Sequence, residues 1–323
     1  MPVNDGRIIT LNAGVGRDST AMLCLLCEGL LEVKGLGTLT PLDIDAVVFS
    51  DTGCEWPHTY DLVPRLQKLC TDNGLPFITL AKPPCLPAVD DHSWITCDPW
   101  TDKIAGGAYH YRLSVLADYQ SRETVVSLGK GDCTDNHKIQ PIRRFIQDLS
   151  IQRFGLSNRQ WSGLVRNGER EPHVSLIGFA ADEGRRLANA KRGVAYVTEM
   201  YPLIDMGIPK DEESPILSQW GLDGTKKSGC FVCPMQPAGW WWVLSVTEPE
   251  LWRRAIGYEA AALARNERMN ATGVKVAGRL LTIDQVAHRW RERNPRATVE
   301  AVLTKSYNHC PAEARVDKKE IST

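Results

Sequence analysis

The chemistry-bearing residues that stand out first are the cysteines, ten in all, and their spacing sorts them into kinds. Ser228-Gly229-Cys230-Phe231-Val232-Cys233-Pro234 is a C-x-x-C pair closed by proline and preceded by Lys226 and Lys227. Nearby cations favour the thiolate, which is the ligating and nucleophilic form of cysteine. An iron-sulfur cluster, a zinc site and a redox-active dithiol all suit such a pair, and the two metal readings need more ligands. Cys133 and Cys310 are the best remote cysteines for that purpose, and His309 stands beside Cys310 as an alternative donor. Cys24 and Cys27 repeat the spacing among leucines and read as core residues. Cys54, Cys70, Cys85 and Cys97 have no partner at a telling distance along the chain.

The second constellation is glycine-rich: Asn12-Ala13-Gly14-Val15-Gly16-Arg17-Asp18-Ser19-Thr20 directly follows an apolar run. Gly14 and Gly16 let backbone amides approach phosphate oxygens, and a helix starting there adds its partial positive charge. Ser19 and Thr20 add hydroxyls. The stretch lacks the Gly-Lys-Ser/Thr ending of a Walker A loop and the G-x-G-x-x-G spacing of a dinucleotide loop. Taken alone it suits an ordinary strand-to-helix turn as well as a phosphate site.

Positioning these residues requires alternating elements. Short apolar runs at 7–11, 44–50, 77–80, 173–178 and 194–201 predict strands, and helical periodicity covers 19–31, 57–69 and 141–154. That alternation predicts an α/β fold: an open, mostly parallel five-stranded sheet flanked by helices, with ligands beyond the carboxyl ends of the strands. Residues 81–132, with Pro83, Pro84, Pro87 and Pro99, read as an irregular insertion. The expected organisation is a nucleotide-binding domain over 1–215 and a Cys- and Trp-containing helical lobe over 216–323, with helices at 247–270 and 283–293. Trp240-Trp241-Trp242 offers faces for stacking on bases but reads more simply as core. Arg289, Arg291, Arg293 and Arg296 around Trp290 read as a solvated helix face, with phosphate contact as the functional alternative.

The chain of 323 residues is 43% hydrophobic and carries a net charge of -1, so it has no general attraction to nucleic acid. Neither a secretory leader nor a membrane span is legible, and the expected setting is cytoplasmic with reduced thiols.

Gly14-Val15-Gly16-Arg17-Asp18-Ser19-Thr20 resembles the PP-loop of the adenine nucleotide alpha-hydrolase superfamily, usually Ser-Gly-Gly-x-Asp-Ser, and departs from it at the first two positions. Val48-Phe49-Ser50-Asp51-Thr52-Gly53-Cys54-Glu55-Trp56-Pro57-His58-Thr59-Tyr60 is similar to the Asp-Thr-Gly-x-x-x-Pro-x-Thr-Tyr signature of the phosphoadenosine phosphosulfate (PAPS) reductase family. The segments from Cys133 through Lys138-Ile139-Gln140-Pro141 to Phe145, and from Ile177 to Arg186, fit the same family. The resemblance implies a HUP-type, Rossmann-like fold and an ATP pyrophosphatase, closest to the DndC and SspD types of bacterial DNA phosphorothioation systems. Arg17, Asp18 and Asp51 would then be catalytic. Asn12, Gly14, Gly16, Ser19, Thr20, Thr52, Gly53, Arg143, Gly178, Asp182, Glu183 and Arg186 would meet ATP and Mg²⁺. The same resemblance implies a [4Fe-4S] cluster on Cys133, Cys230, Cys233 and Cys310, with Zn²⁺ as the alternative. It further implies DNA or another nucleic acid as sulfur acceptor, and a cysteine desulfurase and other modification-system proteins as partners. The rival readings are a PAPS or adenylyl-sulfate reductase, a tRNA or base thiolase, and a non-catalytic nucleotide-binding subunit. The reductases' Glu-Cys-Gly-x-His tail motif is missing here.

Overall fold

The computed structural model describes residues 6–80, 114–126, 132–184 and 194–305, apart from 268, 273, 277 and 278. Cys85, Cys97, Arg186, His309 and Cys310 therefore lie outside the described residues, as does most of the 81–132 insertion.

The chain opens with β1 (Ile9–Asn12), α1 (Arg17–Cys27), β2 (Leu31–Val33), β3 (Gly37–Leu39), β4 (Ala46–Ser50), α2 (Pro57–Asp72) and β5 (Phe77–Leu80). After α3 (Val115–Ser121), a helical turn and a π-helical turn at Asp135–Ile139 run into α4 (Gln140–Phe154), followed by α5 (Asn158–Arg166), β6 (His173–Ile177) and β7 (Val197–Met200). The rest is helical apart from one hairpin: α6 (Pro202–Asp205), α7 (Glu213–Gln219), α8 (Ala238–Thr247), α9 (Pro249–Arg265), β8 (Lys275–Val276), β9 (Arg279–Leu280), α10 (Ile283–Arg293) and α11 (Val299–Lys305).

Five strands form one sheet in the order β5-β4-β1-β6-β7, and every pairing in it is parallel. The predicted α/β fold is thus observed. Alternation along the strands sends Ile9, Leu11, Val47 and Phe49 to one face, packed with α1 and α2. Ile8, Ala46, Val48 and Ile78 face the other way, against Ile142, Phe145, Ile146 and Leu149 of α4. Both faces are covered, which is the usual condition for an all-parallel sheet.

Several elements differ from the sequence expectation for identifiable reasons. The helix expected to reach residue 31 ends at Cys27, because Gly29 takes a left-handed φ of 67° and Leu31 enters the β2-β3 hairpin. The helix expected over 247–270 is α9, which starts at Pro249 and ends at Arg265; α8, which the sequence reading did not call, stops just before it because Pro249 has no N–H to continue it. Inside the segment read as irregular, Ser114 caps α3 by accepting from the Ala117 N–H at 3.3 Å. No described helix is long and apolar enough to cross a membrane.

Candidate nucleotide and sulfur site

The glycine loop leaves the carboxyl end of β1 and enters α1. β1 and β6 are neighbours whose onward connections run to opposite sides of the sheet, so the loop stands at the topological switch point. Gly16 caps α1 without any side-chain hydrogen bond, and Val15 holds a positive φ of 54°. Gly178, just after β6, is pressed onto this turn: a Cβ there would sit 2.8 Å from the Ser19 nitrogen and 2.9 Å from the Asp18 carbonyl carbon. Ser19 Oγ donates to the Gly16 carbonyl at 3.2 Å, and Asn12 Nδ2 donates to Ser175 Oγ at 2.7 Å, tying β1 to β6. Thr20 is fully buried, and its hydroxyl has no hydrogen-bond partner.

Arg17 is held by α7 and the turn before it. Its Nε lies 3.4 Å from Glu213 Oε2, and its Nη2 donates to Ser214 Oγ (2.7 Å) and to the Lys210 carbonyl (3.3 Å). Burial, reinforced by the charge of Asp18, pushes the Glu213 carboxyl up to about 9 despite Arg17. Lys210 Nζ pairs with Glu183 Oε1 at 2.8 Å. Burial opposes the Lys210 charge, but the Glu183 hydrogen bond and the charges of Glu183, Asp182 and Asp18 outweigh it and raise its pKa. Arg17, Asp18, Asp182, Glu183, Lys210 and Glu213 thus form one charge network around the start of α1. Arg143 lies elsewhere on the sheet's flank, 3.3 Å from Glu199 of β7.

The second wall is the loop after β4. Asp51 Oδ1 accepts from the Gly53 N–H (2.8 Å) and the Tyr60 hydroxyl (3.0 Å), which shapes the turn through Gly53 at φ 68°. The Thr52 hydroxyl donates to Glu55 Oε1 at 2.9 Å and lies 3.1 Å from Cys230 Sγ. Glu55 is buried, receives Lys138 Nζ at 3.3 Å, and keeps Oε2 without a hydrogen-bond partner. Burial works against the Lys138 ammonium, yet Glu55, Cys230 and Cys133 together raise its pKa. Burial is also the main reason that the Cys230 thiol is raised well above its ordinary value; Glu55 adds to this and Lys138 opposes it.

The C-x-x-C segment is strapped to that wall. The Trp56 N–H donates to the Gly229 carbonyl (3.0 Å), the Phe231 N–H to the Cys54 carbonyl (2.8 Å), and His58 Nε2 is 3.0 Å from the Lys227 carbonyl. Cys133, Cys230 and Cys233 pack on the same apolar cluster, which also includes Cys54. Cys54 Sγ accepts from the Leu116 N–H at 3.2 Å, and burial pushes its thiol up to about 12. Among the described residues no group of three or more Cys, His, Asp or Glu side chains is arranged to hold a metal ion. Cys24 lies in the core and Cys27 against it, and burial pushes their thiols up to about 12 and 11.

The structure therefore brings the glycine loop, the post-β4 loop, the post-β6 turn and three of the four expected cysteines to one end of the sheet. It adds Glu55, Lys138, Lys210, Glu213 and Ser228, to which sequence reasoning gave no role. Glu55 and Lys138 stand inside the segments that carried the resemblance, so position was their available signal. Glu213 sits in the acidic run Asp211-Glu212-Glu213, which reads as solvated; only its four-residue spacing from Leu217, the other fully buried residue of α7, marks it as inward-facing. Comparison of the sequence with protein-family models and with curated proteins gives no match. The sheet is compatible with a HUP or Rossmann-like architecture.

Proposed function

We propose that the chain is an ATP pyrophosphatase that activates a nucleic-acid oxygen, foremost one on the DNA backbone, for replacement by sulfur. The observation that carries this reading is the shared wall between the two constellations. Ser228 packs on Gly16 of the glycine loop, and Cys230, two residues further on, lies 3.1 Å from Thr52 of the post-β4 loop. The glycine loop and a thiol-bearing loop thus meet at the carboxyl end of the sheet, where a nucleotide would have its α-phosphate within reach of sulfur chemistry.

In this reading the amides around Gly14, Gly16 and Ser19 hold the polyphosphate, and the charge network around Lys210 offsets its charge. Asp18 orients the reacting groups. Asp51, engaged by Tyr60 and Gly53, fixes the loop that carries Thr52. Arg17, held by Glu213, sets the start of α1. The acceptor oxygen attacks the α-phosphorus, the bond from that phosphorus to the bridging oxygen breaks, and pyrophosphate leaves with the electron pair. Sulfide (HS⁻) then attacks the activated acceptor phosphorus, the bond from that phosphorus to the adenylated oxygen breaks, and AMP departs with the electron pair. Mg²⁺ bound at the triphosphate would offset its negative charge.

The metal reading rests on donor type: Cys133, Cys230 and Cys233 pack on one apolar cluster and Cys133 and Cys230 interact with the Lys138 cation, although as placed the described side chains are not arranged to hold a metal ion. Cys133, Cys230 and Cys233, with Cys310, would hold a [4Fe-4S] cluster or Zn²⁺. Such a cluster would supply iron sites that bind sulfide. Reduced thiols suit a cytoplasmic setting, and a cysteine desulfurase, with a thiol reductant that releases its persulfide sulfur as sulfide, is the fitting sulfur source.

The test is product analysis with ATP, Mg²⁺, DNA and sulfide, the last as the nucleophile that releases AMP. AMP and pyrophosphate should accumulate in equal amounts, and Asp18→Ala should slow their release by about 100-fold, the scale of losing one electrostatic contact in a transition state. ADP and phosphate as products, or undiminished turnover in Asp18→Ala, would overturn the assignment.

A further inference from the structure

The contact between Ser228 and the glycine loop is closer than ordinary packing. A Cβ built on Gly16 would lie 2.6 Å from Ser228 Oγ, 3.0 Å from its backbone nitrogen and 3.2 Å from its Cβ; one built on Gly14 would lie 3.7 Å from the same hydroxyl. Both loop glycines therefore face Ser228, and at Gly16 the obstruction includes backbone, which cannot rotate aside. The segment has little freedom to retreat, because His58, Trp56 and Cys54 hold Lys227, Gly229 and Phe231 by the three hydrogen bonds described above. Residues 226 to 229 are half-buried. Lys226 forms no ion pair among the described residues, although its charge reaches His58. At the loop itself the Thr20 hydroxyl is fully buried and unpartnered.

Resting on the nucleotide reading above, we infer that Lys226, Lys227 and Ser228 form the second wall of the phosphate site, so that a polyphosphate in the glycine loop is held jointly by that loop and the cysteine segment. The ligand chemistry is a di- or triphosphate anion: the loop supplies amides, the segment supplies the Ser228 hydroxyl and N–H and the Lys226 ammonium. Because Ser228 precedes Cys230 by two residues, occupancy of the phosphate site is transmitted to the thiol loop through covalent chain alone. This assigns to Lys226 and Lys227 a role in holding anion in addition to any effect on the cysteines.

Calorimetric titration of the full-length protein with inorganic pyrophosphate and with a non-hydrolysable ATP analogue separates the two sources of the anion, and adenosine serves as control. Ser228→Ala and Lys226→Gln should each weaken pyrophosphate and the analogue by about tenfold, the worth of one charge-assisted hydrogen bond, and leave adenosine unchanged. In the wild type, pyrophosphate should slow amide hydrogen exchange across residues 226–233 by about tenfold. Unchanged affinities in both variants, or binding with no protection of that segment, overturn the inference. Pyrophosphate binding that depends on Ser228 in a protein that never cleaves ATP would sustain this wall and refute the pyrophosphatase. Absence of binding by either anion would refute both.

Discussion

His173 stands at the head of β6 with no exposed surface, accepts the Ile8 N–H on Nδ1 at 3.1 Å, and stacks on Trp161 with ring centroids 4.0 Å apart. Acceptance on Nδ1 requires a neutral ring. Burial, aided by the charges of Arg153 and Arg7, lowers its pKa from 6.5 to about 4. The folded state therefore resists protonation more than the unfolded chain does. Between pH 6.5 and 4 the unfolded chain binds more protons, so stability falls as pH drops through this window and is fully retained above it. The loss amounts to at most about 3 kcal/mol from this residue. Urea denaturation at pH 7.5 and 4.5 should show it, and the wild-type difference should shrink in His173→Gln. An NMR titration placing His173 above pH 6 in the folded protein would contradict the assignment. Nothing in the sequence marks this histidine as a buried acceptor, since the groups that enclose it come from Ile8, just ahead of β1, and from α5.

At the scale of elements, the position of α1 depends on Gly178, because its hydrogen faces only backbone of the α1 start, at 2.8 to 2.9 Å from an added Cβ. Gly178→Ala should destabilise the protein by about 2 kcal/mol, as overpacking does when only backbone can yield, and should weaken nucleotide binding as α1 shifts. Gly163 inside α5 is the internal contrast: a Cβ there meets nothing within 4 Å. Gly163→Ala should stabilise by about 0.5 to 1 kcal/mol through helix propensity and a less mobile unfolded chain. Thermal melts of the two variants check both signs, and equal effects would refute the argument. The contrast also shows how far the sequence was legible. Gly178 was placed at the site by the resemblance of the segment from Ile177 to Arg186, and the five strands were readable because buried parallel strands are continuous apolar runs. α8 was missed because helical periodicity vanishes where Trp240, Trp241 and Trp242 are all buried. The Arg17 to Glu213 contact joins residues 196 apart, which no local pattern encodes.

For the whole molecule, the apolar clusters decide how the parts cooperate. The cluster beneath the C-terminal helices includes Trp240, Trp241, Tyr258, Ile283 and Val286, but it also takes Cys54 and Trp56 from the post-β4 loop and Val115, Leu116 and Tyr119 from α3. Trp56 and Trp240 meet edge to face with centroids 5.0 Å apart, and Tyr258 accepts the Val126 N–H at 2.6 Å. The residues that shape the candidate site are thus buried partly by chain more than a hundred positions away. Removing the C-terminal helices would expose Trp56, Leu116 and Tyr119, apolar area worth about 1.5 to 3 kcal/mol per side chain, and would release the strap on Glu55 and Cys54. Calorimetry of the intact protein should therefore show a single cooperative unfolding transition, and a fragment of residues 1–215 should lack the sharp melting and near-ultraviolet aromatic signal of a packed core. Two resolved transitions, or a fragment that melts cooperatively and binds pyrophosphate like the full chain, would mean that the sheet forms its phosphate site unaided. In that case the cysteine segment could not be its second wall.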